Sequence, residues 1–343
     1  MKIAHVILSR GLAGSERSTA ESCNAQVGGN EVLLVVRRSH RAAYGGSILD
    51  LVDPRVRIAI VPDRWFTRRR LAAIIAAFAP DVVHCHLRRA TRLIARTAPP
   101  AALVATLHVD FNGPAYAAMD GLICNGRWQI RSLPPSFQGL SYKANNSLVP
   151  HRRLDAAAIT QVRAQFGAGP DSFLVGGAGR LTRKKGWDML IDAFRAADLP
   201  ADSRLVLLGS GRAGRAFERR AAGDPRIVFG GYRKDLKDIY QALDLFVCPS
   251  RFETLPRVML EAFDAGVPVI GSDADGCQEL VEDYGGDLFS REDVPALTAL
   301  LERHGRERPP HRSVDLSAHH ADRAMAAMLA FYEHVIEHRR MRA

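Results

Sequence analysis

The chain has 343 residues, 47% of them hydrophobic and 24% charged, with a formal net charge of +10. That length suits two domains, and the composition is that of an ordinary soluble globular protein, without a short-period repeat or low-complexity tract. The apolar runs are too short to span a bilayer, and five scattered cysteines with no C-x-x-C pair argue against a disulfide framework and for a reducing, cytoplasmic setting.

The charge is uneven. Residues 1–155 carry 21 lysines and arginines against 10 acids, and the rest of the chain carries 26 against 27. The first half therefore needs an anionic partner: a membrane surface, an acidic lipid or nucleic acid. The opening residues 1–8 do not read as a signal peptide, having one lysine and a very short apolar run.

In chain order, residues 2–8 predict a strand and Gly11 to Gly14 a loop. Residues 15–26 predict a helix with Ser15 as its cap, and 31–36 a second strand. This is the opening of a Rossmann-type half. Gly14 either lets the backbone approach a ligand or makes a tight turn. Residues 65–78 predict a helix that opens with Trp65, Phe66 and three arginines, Arg68, Arg69 and Arg70. Such a stretch is an interfacial membrane anchor, or else a solvated basic face with Trp65 packed in the core. Arg88, Arg89, Arg92 and Arg96 follow at helical spacing.

Val82 to His86 predicts a buried strand ending in His84 and His86, two imidazoles on one face with no further metal ligands near in sequence. Structural or ligand-lining roles are favoured for them over a metal. Residues 103–107 predict another strand with His108 at its carboxyl end and Asp110 just beyond. The carboxyl ends of strands build sites in open α/β sheets. Strands at 121–125 and 139–143 complete a first domain, with the boundary at Pro150.

The pattern then restarts. Residues 155–166 predict a helix and 173–178 a strand, followed by the glycine-flanked basic loop Arg180 to Gly186 and a helix over 187–197. Strands at 205–208 and 226–229 precede Gly230, Gly231 and Tyr232. The apolar run 243–248 predicts a buried strand, ended by Pro249 and Ser250. A helix beginning at Pro256 and stopped by Gly266 places Glu253 in the loop before it and Glu261 on it, eight positions apart. Carboxylates bind hydroxyls, a helix N-terminus attracts anions, and side chains of the types at Arg180 and Lys185 can bind phosphate. The stretch suits a ligand carrying both hydroxyls and phosphates. The tail over 317–338 has helical apolar spacing from Met325 to Ile336.

Glu253-x7-Glu261 with Gly266-Val267-Pro268 resembles the E-x7-E signature of family 4 retaining glycosyltransferases. Gly179-Arg180-Leu181 to Lys185-Gly186 resembles that family's G-R-L-x-x-x-K-G loop, and Gly276-Cys277-Gln278-Glu279 its G-x-x-E segment. Ala13-Gly14-Ser15 resembles its glycine-rich first loop, and Asn145-Asn146-Ser147 its asparagine-rich interdomain segment. The motifs stand in the family's order along nearly the whole chain. The resemblance implies the GT-B architecture, an α/β fold with two Rossmann-like domains facing a cleft. Residues 1–150 would bind the acceptor, 151–316 the nucleotide sugar, and the last helix, 317–343, would cross back to the first domain.

It also implies roles. Arg180 and Lys185 hold the donor pyrophosphate, so no metal or other cofactor is needed. Glu261 accepts from ribose hydroxyls. Glu253 binds the transferred sugar, with the N–H groups of Thr254 and Leu255 on the sugar or distal phosphate. Gly14 lies against the phosphates, His108 lines the donor sugar, and Tyr232 (or Arg233) borders the base. Asp110 binds an acceptor hydroxyl. The chain departs from many relatives in having Thr254-Leu255-Pro256 where a glycine is common, and Pro256 lacks an N–H. The expectation is transfer from a UDP- or GDP-linked sugar to a lipid-linked or lipopolysaccharide-type glycan. The enzyme would be peripheral on the inner face of the cell membrane, held there by its basic first half, with no nucleic-acid partner. The rivals are a sugar-nucleotide epimerase of the same architecture and a basic nucleic-acid-binding protein.

Overall fold

The computed structural model describes residues 1–41, 46–108 and 110–342. It divides into two compact units, Met1–Ser147 with Ala318–Ala343, and Leu148–Ser317.

The first unit opens β1 (Lys2–Ile7), α1 (Gly14–Gln26), β2 (Glu31–Arg37), β3 (Arg57–Val61), α2 (Thr67–Phe78), β4 (Val82–His86), α3 (Leu87–Thr97), β5 (Ala102–Leu107), and continues with the short α4 (Pro114–Ala117), β6 (Gly121–Cys124), the short α5 (Arg127–Arg131) and β7 (Leu140–Lys143). The seven strands form one sheet in the order β3-β2-β1-β4-β5-β6-β7, with parallel pairing throughout. Parallel strands covered on both faces are buried on both, which is why β1, β2, β4 and β5 are apolar over most of their length, with His5, His84 and His86 as the buried polar exceptions in β1 and β4. β1 and β4 are neighbours although α2 and two other strands separate them in sequence, so the direction of winding reverses between them. Open α/β sheets bind ligands beyond such a reversal.

The second unit comprises α6 (Ala156–Ala164), β8 (Leu174–Ala178), α7 (Trp187–Ala196), β9 (Arg204–Leu208), α8 (Gly214–Ala221), β10 (Ile227–Gly231), α9 (Leu236–Ala242), β11 (Leu245–Cys248), α10 (Arg257–Ala265), β12 (Val269–Ser272), α11 (Asp275–Tyr284), β13 (Asp287–Phe289) and α12 (Val294–Glu307). Its six parallel strands run β10-β9-β8-β11-β12-β13, with the reversal between β8 and β11. One face packs Leu243, Phe246, Met259 and Phe263, the other Phe173, Trp187, Phe194 and Leu207.

The chain ends in α13 (Ala321–Arg342), which belongs to the first unit. Met325, Met328, Phe331, Tyr332 and Val335 pack on Ile3, Val82, Ala102 and Val104. Each such side chain contributes roughly 2 kcal/mol as an upper estimate. Gly121 lets the helix approach β6, since a Cβ there would lie 2.7 Å from Val335 Cγ2.

Three local expectations are corrected. Ala13, not Ser15, is the N-cap of α1, because the Glu16 carboxylate reaches back to the Ala13 N–H at 2.9 Å and also takes the Ser15 hydroxyl at 3.0 Å. Pro256 is the N-cap of α10 rather than its first residue. Helix α2 starts at Thr67, and Trp65 is not core: it is 81% exposed and Phe66 74%.

Candidate active site

The two motif loops of the second unit leave adjacent strands at the reversal. Residues 179–186 follow β8 and residues 249–256 follow β11. Backbone chemistry fits them together. Gly186 has φ 68°, and a Cβ there would sit 1.8 Å from the carbonyl oxygen of Pro249, so only glycine lets the loops touch. Trp187 Nε1 donates to the Arg180 carbonyl at 2.9 Å, and Arg251 N to the Lys184 carbonyl at 2.8 Å.

Across this junction the Lys185 ammonium is ion-paired with the Glu253 carboxylate, which also accepts from Ser250 Oγ at 3.0 Å. Burial works against the lysine's charge, but Glu253 outweighs it and the Lys185 pKa is raised. Arg180, by contrast, is exposed at the loop's start and forms no ion pair among the described residues. The junction thus offers one fixed cation and one extended cation. Lys184 lies over the Phe252 ring at 5.6 Å.

Glu261 is the fifth residue of α10 and accepts from the Tyr240 hydroxyl at 3.3 Å. Burial raises its pKa, against the pull of Arg257, Tyr240, Lys237 and His151. Helix α10 has no side-chain cap and no acid in its first turn, so its N-terminal dipole is uncompensated beside Thr254 and Leu255. Gly276 seats that loop: its N–H donates to the Glu253 carbonyl at 3.2 Å, and a Cβ would come 2.3 Å from Thr254 O. Tyr232, just beyond edge strand β10, is 59% exposed. Arg233 is engaged with Asp235 and Gln165.

Sequence reasoning missed Arg251. It clamps the junction, donating to Asp188 at 2.8 and 2.9 Å, to Glu292 at 2.8 Å and to the Arg183 carbonyl at 2.8 Å. Nothing in its spacing announced this, because its partners lie in three separate segments.

In the first unit, Gly14 is the first residue of α1, and a Cβ there would meet nothing within 4 Å, so packing does not require glycine at this position. His108, at the end of β5, is half-buried, and Asp110 is exposed. His108 Nε2 lies 3.4 Å from His86 Nδ1. The register of β1 on β4 sets His5 beside His84, and His5 Nδ1 lies 3.0 Å from His86 Nε2. His5 Nε2 meets the Gln26 carbonyl oxygen at 2.8 Å and therefore donates to it. A neutral His5 then accepts at Nδ1, His86 donates from Nε2, and His108 donates to His86 from its own Nε2. His84 bridges the Tyr332 hydroxyl and Thr106 Oγ1, each at 2.7 Å.

His5, His84 and His86 have ring nitrogens within 4.8 Å of one another, close enough to consider a metal. All six of those nitrogens are occupied by the hydrogen bonds above, so the cluster is a polar network in the core rather than an open ligand set. Burial lowers His5 and His108 to about 4 and holds His84 and His86 well below the usual range. The sequence displayed His84, His86 and His108, but not that His108 meets His86, and it gave no sign of His5.

With this geometry in hand, comparison with known proteins is specific. Residues 172–304, most of the second unit, match the family model described as Glycosyl transferases group 1. The matched residues resemble a group 1 glycosyltransferase domain. The chain is 32% identical over 163 residues to the lipopolysaccharide core biosynthesis mannosyltransferase LpsB of Rhizobium meliloti, covering 44% of the chain and 46% of LpsB. It is 25% identical over 329 residues to the lipopolysaccharide core biosynthesis glycosyltransferase LpsD of the same organism, covering 90% and 92%. The match thus spans about half of LpsB and nearly all of LpsD. The fold is that of Anabaena HepE, whose crystal structure holds UDP and glucose, at a TM-score of 0.77, 19% identity and 98% of each chain. The motif loops at the β8/β11 reversal both lie within the matched residues 172–304. Among the described residues, no helix is long and apolar enough to cross a membrane.

Proposed function

We propose that the protein is a retaining glycosyltransferase that moves a sugar from a UDP- or GDP-linked donor to a lipid-linked or lipopolysaccharide-type glycan. The observation that carries the reading is the junction of the two loops at the β8/β11 reversal. It pairs Lys185, on the loop that also carries the exposed Arg180, with Glu253, whose own loop leads into α10, a helix with no side-chain cap at its N-terminus. The names of LpsB and LpsD support the acceptor class, and the UDP and glucose of HepE support the donor class.

The roles follow from charge. As the bond from the sugar's anomeric carbon to the diphosphate breaks, its electron pair and negative charge go to the departing phosphate. Arg180 and Lys185 are the cations assigned to that charge, which makes the reaction metal-independent. The acceptor hydroxyl forms the new bond to the anomeric carbon and passes its proton to the departing phosphate. Glu261 takes the ribose hydroxyls. Glu253, Thr254 and Leu255 take the transferred sugar. Gly14 and His108 are assigned to the phosphate and sugar, Tyr232 to the base, and Asp110 to the acceptor. The exposed pair Trp65 and Phe66, beside Arg68 and Arg69, supports contact with an anionic membrane surface.

The test is thermal unfolding with UDP, GDP or ADP in EDTA, on the wild type and Arg180→Ala. A ligand at one hundred times its dissociation constant stabilises by about 2.7 kcal/mol. One nucleotide shifting the midpoint without metal, with the shift lost in the variant, upholds the reading. No shift with any nucleotide counts against it.

A further inference from the structure

We propose that Cys248 and Cys277 are a modification site: a dithiol beneath the Glu253 loop that a hydroperoxide converts to a disulfide, which displaces that loop. The effect of the disulfide on donor binding rests on the transferase reading, while its formation does not.

All five cysteines are free. Cys23, Cys85 and Cys124 belong to the first unit. Cys248 is the last residue of β11, Cys277 lies in the first turn of α11, and their sulfurs are 3.7 Å apart. The sheet makes that approach possible. Gly271 of β12 is the register partner of Cys248, and a Cβ on it would lie 3.4 Å from the Cys277 Cβ. With no side chain at position 271, α11 settles close to the sheet and sets one thiol next to the other. A disulfide needs about 2.05 Å between sulfurs, so a short movement closes it. In a reducing compartment such a bond forms transiently rather than as a permanent brace.

The two thiols are unequal. The Cys277 thiol donates to the Cys248 sulfur. That hydrogen bond, helped by the Lys185 ammonium, holds the Cys248 thiol below its ordinary value against burial and Glu253, whereas burial raises the Cys277 thiol. Cys248 is 4% exposed and Cys277 0%. Cys248 is therefore the attacking sulfur and Cys277 its resolving partner. The Cys248 thiolate attacks one peroxide oxygen and the O–O bond breaks. The departing oxygen takes up the proton that Cys248 shed, and Cys248 becomes a sulfenic acid. The Cys277 sulfur then attacks the Cys248 sulfur. The S–S bond forms, the S–O bond breaks, and hydroxide leaves as water with the Cys277 proton. The two thiols lose two electrons and the peroxide gains them.

The consequence lies in what the pair touches. Cys248 Sγ is 3.6 Å from Ser250 Oγ, which donates to the Glu253 carboxylate at 3.0 Å. Gly276, next to Cys277, donates its N–H to the Glu253 carbonyl at 3.2 Å, and a Cβ there would come 2.3 Å from the Thr254 carbonyl oxygen. Both halves of the disulfide are thus joined to the Glu253 loop, one through Ser250 and one through Gly276. Residues 248–277 also enclose the whole segment from Glu253 to Glu261, so the bond ties the two ends of that segment. A close-packed interior transmits such a movement instead of absorbing it. Drawing the sulfurs together pulls on Ser250 and Gly276 and loosens the seat of Glu253 against Lys185.

The experiment takes the reduced full chain, adds hydrogen peroxide, and reads intact mass and linked peptides by mass spectrometry. Hydrogen exchange over residues 249–256 reads the loop without nucleotide, and thermal unfolding with nucleotide reads the donor site. The variants are Cys248→Ser and Cys277→Ser. The expected result is that the wild type loses two hydrogens, that the linked peptide joins Cys248 to Cys277, and that dithiothreitol reverses the change. Oxidation speeds exchange at 249–256 severalfold and removes more than half of the nucleotide-induced shift. Neither serine variant forms the link, and peroxide leaves the exchange of both unchanged. No linked peptide, or a link through Cys23, Cys85 or Cys124, overturns the site. A link with unchanged exchange overturns its coupling to the loop. A link with faster exchange, in a protein that no nucleotide stabilises when reduced, upholds the dithiol and sinks the transferase reading.

Discussion

Lys185 and Glu253, 68 positions apart, form an ion pair that joins the loop after β8 to the loop after β11. The pair is largely shielded, with side-chain exposures of 22% and 11%. Removing one partner leaves the other's charge poorly solvated. Glu253→Gln and Lys185→Met are each expected to cost about 2 kcal/mol in urea unfolding. The double variant Lys185→Met with Glu253→Leu should recover most of that stability while losing the nucleotide-induced shift. A double variant as unstable as either single one sinks the pairwise account.

Gly186→Ala meets two penalties at once, the left-handed φ and the Pro249 carbonyl 1.8 Å from the new Cβ. The backbone effect alone exceeds about 1 kcal/mol, and the clash forces the loops apart. The variant should lose both unfolding free energy and nucleotide stabilisation. Gly14→Ala, with open space at its Cβ, should keep its stability within about 0.5 kcal/mol. Equal melting of the two variants contradicts this reading of the glycines.

The histidine network sets a pH dependence for the first unit. His5 and His108 are lowered to about 4 in the folded state, below the unfolded value of about 6.5. The unfolded chain then binds more protons in that window, so stability is full above about pH 6.5 and falls as pH drops toward 4. Each unit of depression is worth about 1.4 kcal/mol. Hydrogen-exchange protection of β1, β4 and β5 should fall between pH 7.5 and 5, after correction for intrinsic exchange. Constant protection across that range contradicts the network as described.

Arg251→Lys retains a charge but cannot serve two carboxylates and a carbonyl together. The expected loss is about 1–3 kcal/mol, read by denaturant midpoint. Loss comparable to an exposed arginine, such as Arg212→Lys, shows that the clamp is dispensable.

Trp65→Ala should leave the unfolding free energy within about 0.5 kcal/mol, since Trp65 is 81% exposed. Its binding to anionic vesicles should fall, at fixed ionic strength. Unchanged vesicle binding removes Trp65 from the membrane reading.

Much of this molecule was legible beforehand, for reasons visible in particular residues. Strand β11 (Leu245–Cys248) announced itself because a parallel strand buried on both faces is apolar, although the expected range of 243–248 began two residues early, at Leu243 and Asp244. Gly266 announced the end of α10, where φ is 82°. The first-unit edge strand β3 escaped, because Ile58 and Ile60 are exposed and alternate with no clear inward face. Ser15 was misassigned as a cap because Glu16 performs that function from inside the helix.

The sequence by itself marked most of the strands and the placing of both motif loops at strand carboxyl ends, since burial on both faces and glycine at a left-handed φ leave local marks. It could not determine which strands lie side by side. Only the order β3-β2-β1-β4 brings His5 to His84 and His86, and only the neighbouring β8 and β11 bring Lys185 to Glu253 and Arg251 to Asp188. Spacing along a chain fixes local periodicity, while a site depends on which distant segments pack together.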